Sequence, residues 1–231
     1  PVTASDALLA TNAVYSTLRQ WHYHSGGYPI LDIMSDDAVK GSNPNDQVET
    51  LGPYNTFTIT TTQDGLDRWW ATLYEGIKRA NVVIEKVPAI EMADTTLRSH
   101  YLGEARFLRG LYYFDLVRAW GGVPKVTSIN PPLKLTRSTK EEIYSLIKVD
   151  LLFAIDRLVE KSALPVTDYG RATKGAAKAL LAKVYLFQND FVNAEKYLLE
   201  VINSEEYDLE PVFADANGVN GEQGIESVFE I

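Results

Sequence analysis

The chain has no cysteine, only 3 histidines and 2 methionines, and no long apolar run. Each shortage removes a class of explanation. Without cysteine there is no disulfide framework, no thiol nucleophile and no thiolate zinc site, and the redox compartment is left open. His22 and His24 alternate in a segment without strand character, and His100 lies far along the chain, so the converging ligands that a zinc site needs are not expected. No run approaches the roughly 20 apolar residues that span a bilayer. Basic residues are scarce: 22 Lys plus Arg against 31 Asp plus Glu give a formal charge of −9, which argues against nucleic acid as a partner. There is no glycine-rich phosphate loop, and the carboxylate pairs Asp36/Asp37, Glu141/Glu142 and Glu205/Glu206 have nothing beside them to raise a pKa for acid–base work. Neither a cofactor nor an enzymatic activity is expected.

What is present is helical periodicity on a globular composition, 45% hydrophobic over 231 residues, enough for a real core. The stretch Tyr101 to Trp120 is apolar on every side when placed at the helical step, so it is expected to be a central, buried helix. Its charges then need partners. Asp115 and Arg118 form an i,i+3 pair in one sector with Glu104, whereas Arg106 and Arg109 point elsewhere and need other partners. Gly121-Gly122 and Pro124 end the helix.

The remaining elements are arranged around it. Ser5 with Asp6 opens a helix from about 6 to about 21. An irregular excursion over residues 23–65 follows, broken by Gly26-Gly27, Pro29, Gly41, Pro44 and Gly52-Pro53, with one strand-like piece at Phe57–Thr60. Its length exceeds the usual connection in a compact helical protein, and such excursions are commonly functional. Helical spacing returns from Leu66 to Val87, and Asp94 caps the central helix. Ser138 and Glu141 read as a capping box for a helix striped by Ile143, Ile147, Leu151, Ala154 and Leu158. Trp69, Trp70 and Trp120 lie on helical faces and are assigned to the core.

Thr173 caps a small-residue helix over Lys174–Gln188, and a turn at Asn189-Asp190 folds a second helix back on it, giving a hairpin over residues 174–203. The hairpin resembles a tetratricopeptide repeat. Leu181, Ala182, Tyr185, Ala194 and Leu198 fall on the repeat's offsets, although Lys178 stands where it usually has Trp and Glu206 where it has Pro. The closing Ser227–Ile231 is strand-like and leaves apolar side chains at the chain's end, where a dimer would cover them.

Taken in order, the segments resemble the N-terminal part of the SusD/RagB family of outer-membrane nutrient-binding lipoproteins. The resemblance is carried by Glu104-Ala-Arg106-x-Leu108-Arg109 leading through Tyr112-Tyr113-Phe114 to Gly121-Gly122-Val123-Pro124. It continues in Arg171-Ala-Thr173-Lys174-Gly-Ala176-Ala177-x-Ala179-Leu180-Leu181-Ala182-x-Val184-Tyr185-Leu186, Tyr207-x-Leu209 and Glu226-x-Val228-Phe229-Glu230-Ile231. It implies an all-α fold: tetratricopeptide-like helical hairpins around a central buried helix, with long irregular loops and little strand, the whole of 1–231 forming one N-terminal domain. It also implies a lipid anchor in the outer leaflet, a SusC-like TonB-dependent transporter as partner, and a glycan, or in some members a peptide, as ligand, with no catalysis. The chain opens on Pro1 rather than Met, so a leader and the lipidated cysteine are expected to have been trimmed, and the second half of the family's length is not represented.

In the family the ligand loop often lies between the first helix and the one beginning here at Leu66, which places it in the 23–65 excursion. There Asp36, Asp37, Lys40, Asn43, Asn45 and Asp46 would offer carboxylates, amides and an ammonium to sugar hydroxyls, and Tyr54 a ring for the apolar face of a sugar. The rival expectation is a tetratricopeptide-type protein interaction module, or a peptide-binding member of the same family, in which that loop is solvated decoration.

Overall fold

The fold was analysed in a computed structural model that describes every residue except 42, 217, 219 and 220. Among the described residues, α1 spans Ala4–Ser16, α2 Trp21–Tyr28, α3 Gly52–Thr56, α4 Leu66–Lys86, α5 Thr95–Trp120, α6 Lys140–Arg157, α7 Lys174–Leu186, α8 Phe191–Ile202 and α9 Phe213–Ala216. No strand forms among them; one isolated antiparallel bridge joins Pro124 to Arg137.

Helix α5 is central, as its all-round apolarity requires. Tyr101, Ala105, Phe107, Leu108, Tyr112, Tyr113, Phe114, Leu116 and Val117 are all buried. Antiparallel neighbours flank it on two sides. On α4, Asn81 meets Arg109 and Trp69 meets Trp120; on α6, Asp150 meets Arg109 while Arg157 packs at Gly103. The same alternation continues into α7, which meets α6 where Lys148 lies over the Tyr185 ring, and α8 folds back so that Tyr185 and Tyr197 stack at 5.9 Å. Helix α1 closes over α4 and α5, with the Tyr112 hydroxyl donating to the Val14 carbonyl at 2.7 Å. Close approach of α4 to α5 requires glycine: a methyl at Gly76 would stand 2.5 Å from the Tyr112 ring.

The charges of α5 find the partners they need. Arg109, 3% exposed, donates through Nε and Nη2 to the two oxygens of fully buried Asp150 at 2.7 and 2.8 Å, and through Nη1 to Asn81 at 2.7 Å. Arg106 reaches Asp150 from a more open position at 2.9 Å. Buried Glu104 accepts from Arg171 at 3.1 Å and faces His100 Nε2 at 3.3 Å. Asp115 holds Arg118 and accepts from the Tyr23 hydroxyl at 2.9 Å. Burial pushes the Asp115 carboxyl up, while Arg118 and the Tyr23 hydrogen bond pull it back.

Several boundaries differ from the sequence expectation. Thr3, not Ser5, caps α1, with Asp6 completing the capping box. The helix expected to reach residue 21 ends at Ser16, and a separate α2 occupies the start of the stretch expected to be irregular. A π-turn over Pro29–Ile33 extends that order, and Phe57–Thr60 is not a strand. The capping box of α6 is Thr139 with Glu142, one residue later than expected, because the Ser138 amide is already bonded to the Val123 carbonyl. The chain's end is half covered by its own core: Phe229 meets Phe107 edge-on at 4.9 Å, while Ile231 remains 51% exposed.

Two outcomes follow. Asp150→Ala strands the Arg109 guanidinium in the core and should cost about 3–5 kcal/mol in urea unfolding, against a much smaller loss for Arg106→Ala, whose guanidinium reaches solvent. Hydrogen bonds from the Val2 and Thr3 amides hold the Asp6 carboxyl low, and those from Asn193 do the same for Asp190. Both contributions are complete above the ordinary aspartate range of about 4 and vanish as pH falls through the lowered values. The double variant Asp6→Asn/Asp190→Asn should therefore flatten the acid limb of a melting-temperature profile.

Candidate functional site

The excursion between α2 and α4 is tied together by polar anchors of its own. Gln63, 8% exposed, donates to the carbonyls of Glu49 and Thr50 at 2.9 and 3.0 Å. The Lys40 amide donates to Asn55 Oδ1 at 2.9 Å, and its ammonium gathers the carbonyls of Asn43, Pro44 and Asp46. The lysine expected to meet a ligand thus holds its own loop together.

The other expected contacts divide. Asp36, Asp37, Asn43, Asn45 and Asp46 are exposed, and Asn43 Oδ1 accepts the Asn45 amide at 2.9 Å in a local turn. Tyr54 departs from expectation: it is fully buried, its hydroxyl donates to the Asp64 carbonyl at 3.0 Å, and burial raises it to about 12. A ring packed beneath its own loop has no face to give a sugar, because α3 turns Tyr54 inward to anchor the loop's return. His22 and His24 lie on α2, and His100 faces Glu104 one turn along α5.

Where the two ends of the excursion meet the frame they border an open cavity of about 640 Å³. Ile30 and Met34 come from the departing strand of chain, Ile59, Thr60 and Thr61 from the returning one, Leu66, Asp67 and Trp70 from the first turns of α4, and Ala119 and Trp120 from the end of α5. The antiparallel pairing of α4 and α5 brings these two helix ends together. Trp70 and Trp120 stand nearly perpendicular, 5.2 Å apart at 85°, and both stay partly exposed. Trp69 braces Trp120 from behind at 5.2 Å, and Tyr74, anchored by its hydroxyl to the Pro124 carbonyl, braces Trp70 at 5.0 Å. Of the three tryptophans assigned to the core, only Trp69 is buried there, at 2% exposure. Successive helical residues lie about 100° apart. Trp69 and Trp70 therefore point in different directions, and that signal was open to a sequence reading.

Comparison with known proteins places this architecture. A SusD-like family model, described as starch-binding associating with outer membrane, matches residues 31–186. The chain belongs to the SusD-like family. It is 31% identical over 212 residues to the SusD-like protein P38 of Formosa agariphila, covering 90% of this chain and 39% of that protein. A SusD-like protein of Bacteroides ovatus is 34% identical over 145 residues, covering 60% of this chain and 25% of that protein. Among solved structures, a laminarin-binding SusD-like protein superposes with a TM-score of 0.89 at 30% identity, covering all of this chain and 51% of its own. Surface glycan-binding protein A from Bacteroides uniformis gives 0.88 at 27%, covering 99% and 52%. This SusD-like chain thus spans about half, or less, of the length of the relatives it matches.

The burial of Tyr54 yields a direct check. Tyr54→Ala should destabilise the chain by about 3–5 kcal/mol through the cavity it leaves. Tyr54→Phe, which abandons only the Asp64 carbonyl, should cost about 1 kcal/mol. Thermal or urea unfolding distinguishes this anchoring role from that of an exposed ligand contact, whose removal would leave stability unchanged.

Proposed function

We propose that this SusD-like chain is the glycan-capturing part of a cell-surface protein, anchored in the outer leaflet of the outer membrane, that hands oligosaccharide to a SusC-like TonB-dependent transporter. The observation that carries the reading is the whole-chain superposition on a laminarin-binding relative, with the starch-binding family match beside it. The role is binding, without catalysis. The excursion supplies the ligand-facing edge, with Asp36, Asp37, Asn43, Asn45 and Asp46 offering acceptors and amide donors to sugar hydroxyls. Lys40 acts indirectly, by holding that edge in shape.

A protein partner is supported by a separate feature. Helix α8 carries Phe191, Val192, Leu198, Leu199 and Ile202 at 45–78% exposure, an apolar face larger than scattered surface residues account for. In this reading it is the transporter-facing side of the tetratricopeptide-like hairpin.

Isothermal calorimetry and affinity electrophoresis against laminarin, starch and mannan test the binding claim. Saturable binding of at least one neutral glucan is expected, with a dissociation constant in the micromolar to millimolar range. Failure to bind any glycan, by a folded sample, would overturn the reading.

A further inference from the structure

We infer that the cavity between Trp70 and Trp120 is a subsite for a neutral oligosaccharide, one pyranose ring lying against the indoles while its hydroxyls meet Thr60, Thr61 and Asp67. The inference rests on the glycan-binding reading and names a place for it away from the tip of the excursion.

The chemistry of the lining selects the occupant. Its volume, about 640 Å³, lies within the range of small-molecule sites. Most of the wall is apolar, from Ile30, Met34, Ile59, Leu66 and the two indoles, which suits the C–H faces of a pyranose. The polar groups all come from the stretch entering α4. The Thr60 and Thr61 side chains are exposed there, and Asp67 gives Oδ1 to the Arg68 amide at 2.8 Å, which leaves Oδ2 to accept from a ligand. A wall apolar on one side and hydroxyl-rich on the other matches a sugar ring better than a hydrocarbon chain: Thr60 Oγ1 has Thr62 Oγ1 at 3.3 Å, but the exposed Thr61 hydroxyl and the Asp67 carboxylate would lose their water with nothing to replace it. Among the described residues that line the cavity the one charge is negative, so an anionic sugar or a phosphate finds no counter-ion.

The rings are also held in advance of any ligand. Trp120 is fixed between Trp69 and Trp70, and Trp70 between Trp120 and Tyr74. Trp69 in turn sits against Gly27 of α2, where a methyl would come within 3.2 Å of the indole. An aromatic corner that loses no rotamer freedom on binding gives more affinity per contact than mobile side chains do.

The test reads tryptophan emission during titration with laminari- and malto-oligosaccharides in a Trp21→Phe background, which removes an indole that is 76% exposed and does not line the cavity. Calorimetry on the same samples measures affinity independently. A saturable emission change is expected for the parent. Trp70→Ala should weaken binding by about tenfold or more. Asp67→Asn, an exposed substitution that leaves the core untouched, should weaken it by about fivefold, with an unchanged melting temperature. Glycan binding at parental affinity by both folded variants would overturn the subsite and leave the glycan-binding reading standing. A parent that binds no glycan by calorimetry overturns both. Emission that responds to tetramethylammonium and to no sugar would overturn the assigned occupant, since the corner would then be a cation-binding one.

Discussion

The structure depends on one buried contact, the forked grip of Arg109 on Asp150 and Asn81. A guanidinium at 3% exposure and a carboxylate at none are tolerable only because five-donor and two-oxygen geometries match, with two parallel bonds of 2.7 and 2.8 Å. The third arm, to Asn81 Oδ1, makes the contact span three helices, and Asn81 Nδ2 carries it on to the carbonyls of Val126 and Ser128 in the connection after α5. Apolar packing alone admits sliding of one helix past another. A fork of this kind has a single register: a one-turn slip of α6 would leave a buried charge without its partner, and one of α4 would cost Arg109 its bond to Asn81.

That register decides where the cavity forms. With Asn81 fixed beside Arg109, antiparallel α4 and α5 run from there to a common level at which Trp69 and Trp70 come opposite Trp120. Tyr113 adds a second tie at the same end: its hydroxyl donates to the Val126 carbonyl and accepts that residue's amide, drawing the post-α5 connection against the frame. The excursion then needs to fix only its own two ends. It does so with Tyr54 and Gln63 on the returning side and with the Tyr23–Asp115 bond of α2 on the departing side.

How much of this was legible in the sequence follows from where the determinants lie. The central helix, the α6 stripe and the small-residue hairpin were readable because their apolar patterns are local and long. The unpaired arginines of α5 announced a need for partners, though nothing local pointed to Asp150. Helix α2 was not readable: Trp21–Tyr28 holds two adjacent glycines and makes no side-chain cap. It is held by contacts from distant elements, Asp115 on Tyr23 and Trp69 on Gly27. The α6 cap was misread by one residue since Ser138/Glu141 and Thr139/Glu142 satisfy the same pattern, and a long-range bond from Ser138 to Val123 chooses between them. The candidate site suffered most. Tyr54 looked available because it sits among polar loop residues, and Trp120 looked buried because its helix is; each assignment depended on which end of an element it occupies.

The same facts separate two kinds of polar residue in the excursion. Lys40, Gln63 and the Tyr54 hydroxyl all point at backbone carbonyls, and such groups satisfy the chain's own acceptors where secondary structure does not. Asp36, Asp37 and Asp46 are instead exposed acids on a chain already carrying a charge of −9, where they add repulsion and no internal bond of comparable strength. Removing them would cost the fold little, whereas removing Lys40 or Gln63 would release the carbonyls that shape the loop. Structural constraint therefore accounts for the anchors and leaves the acids unexplained by stability.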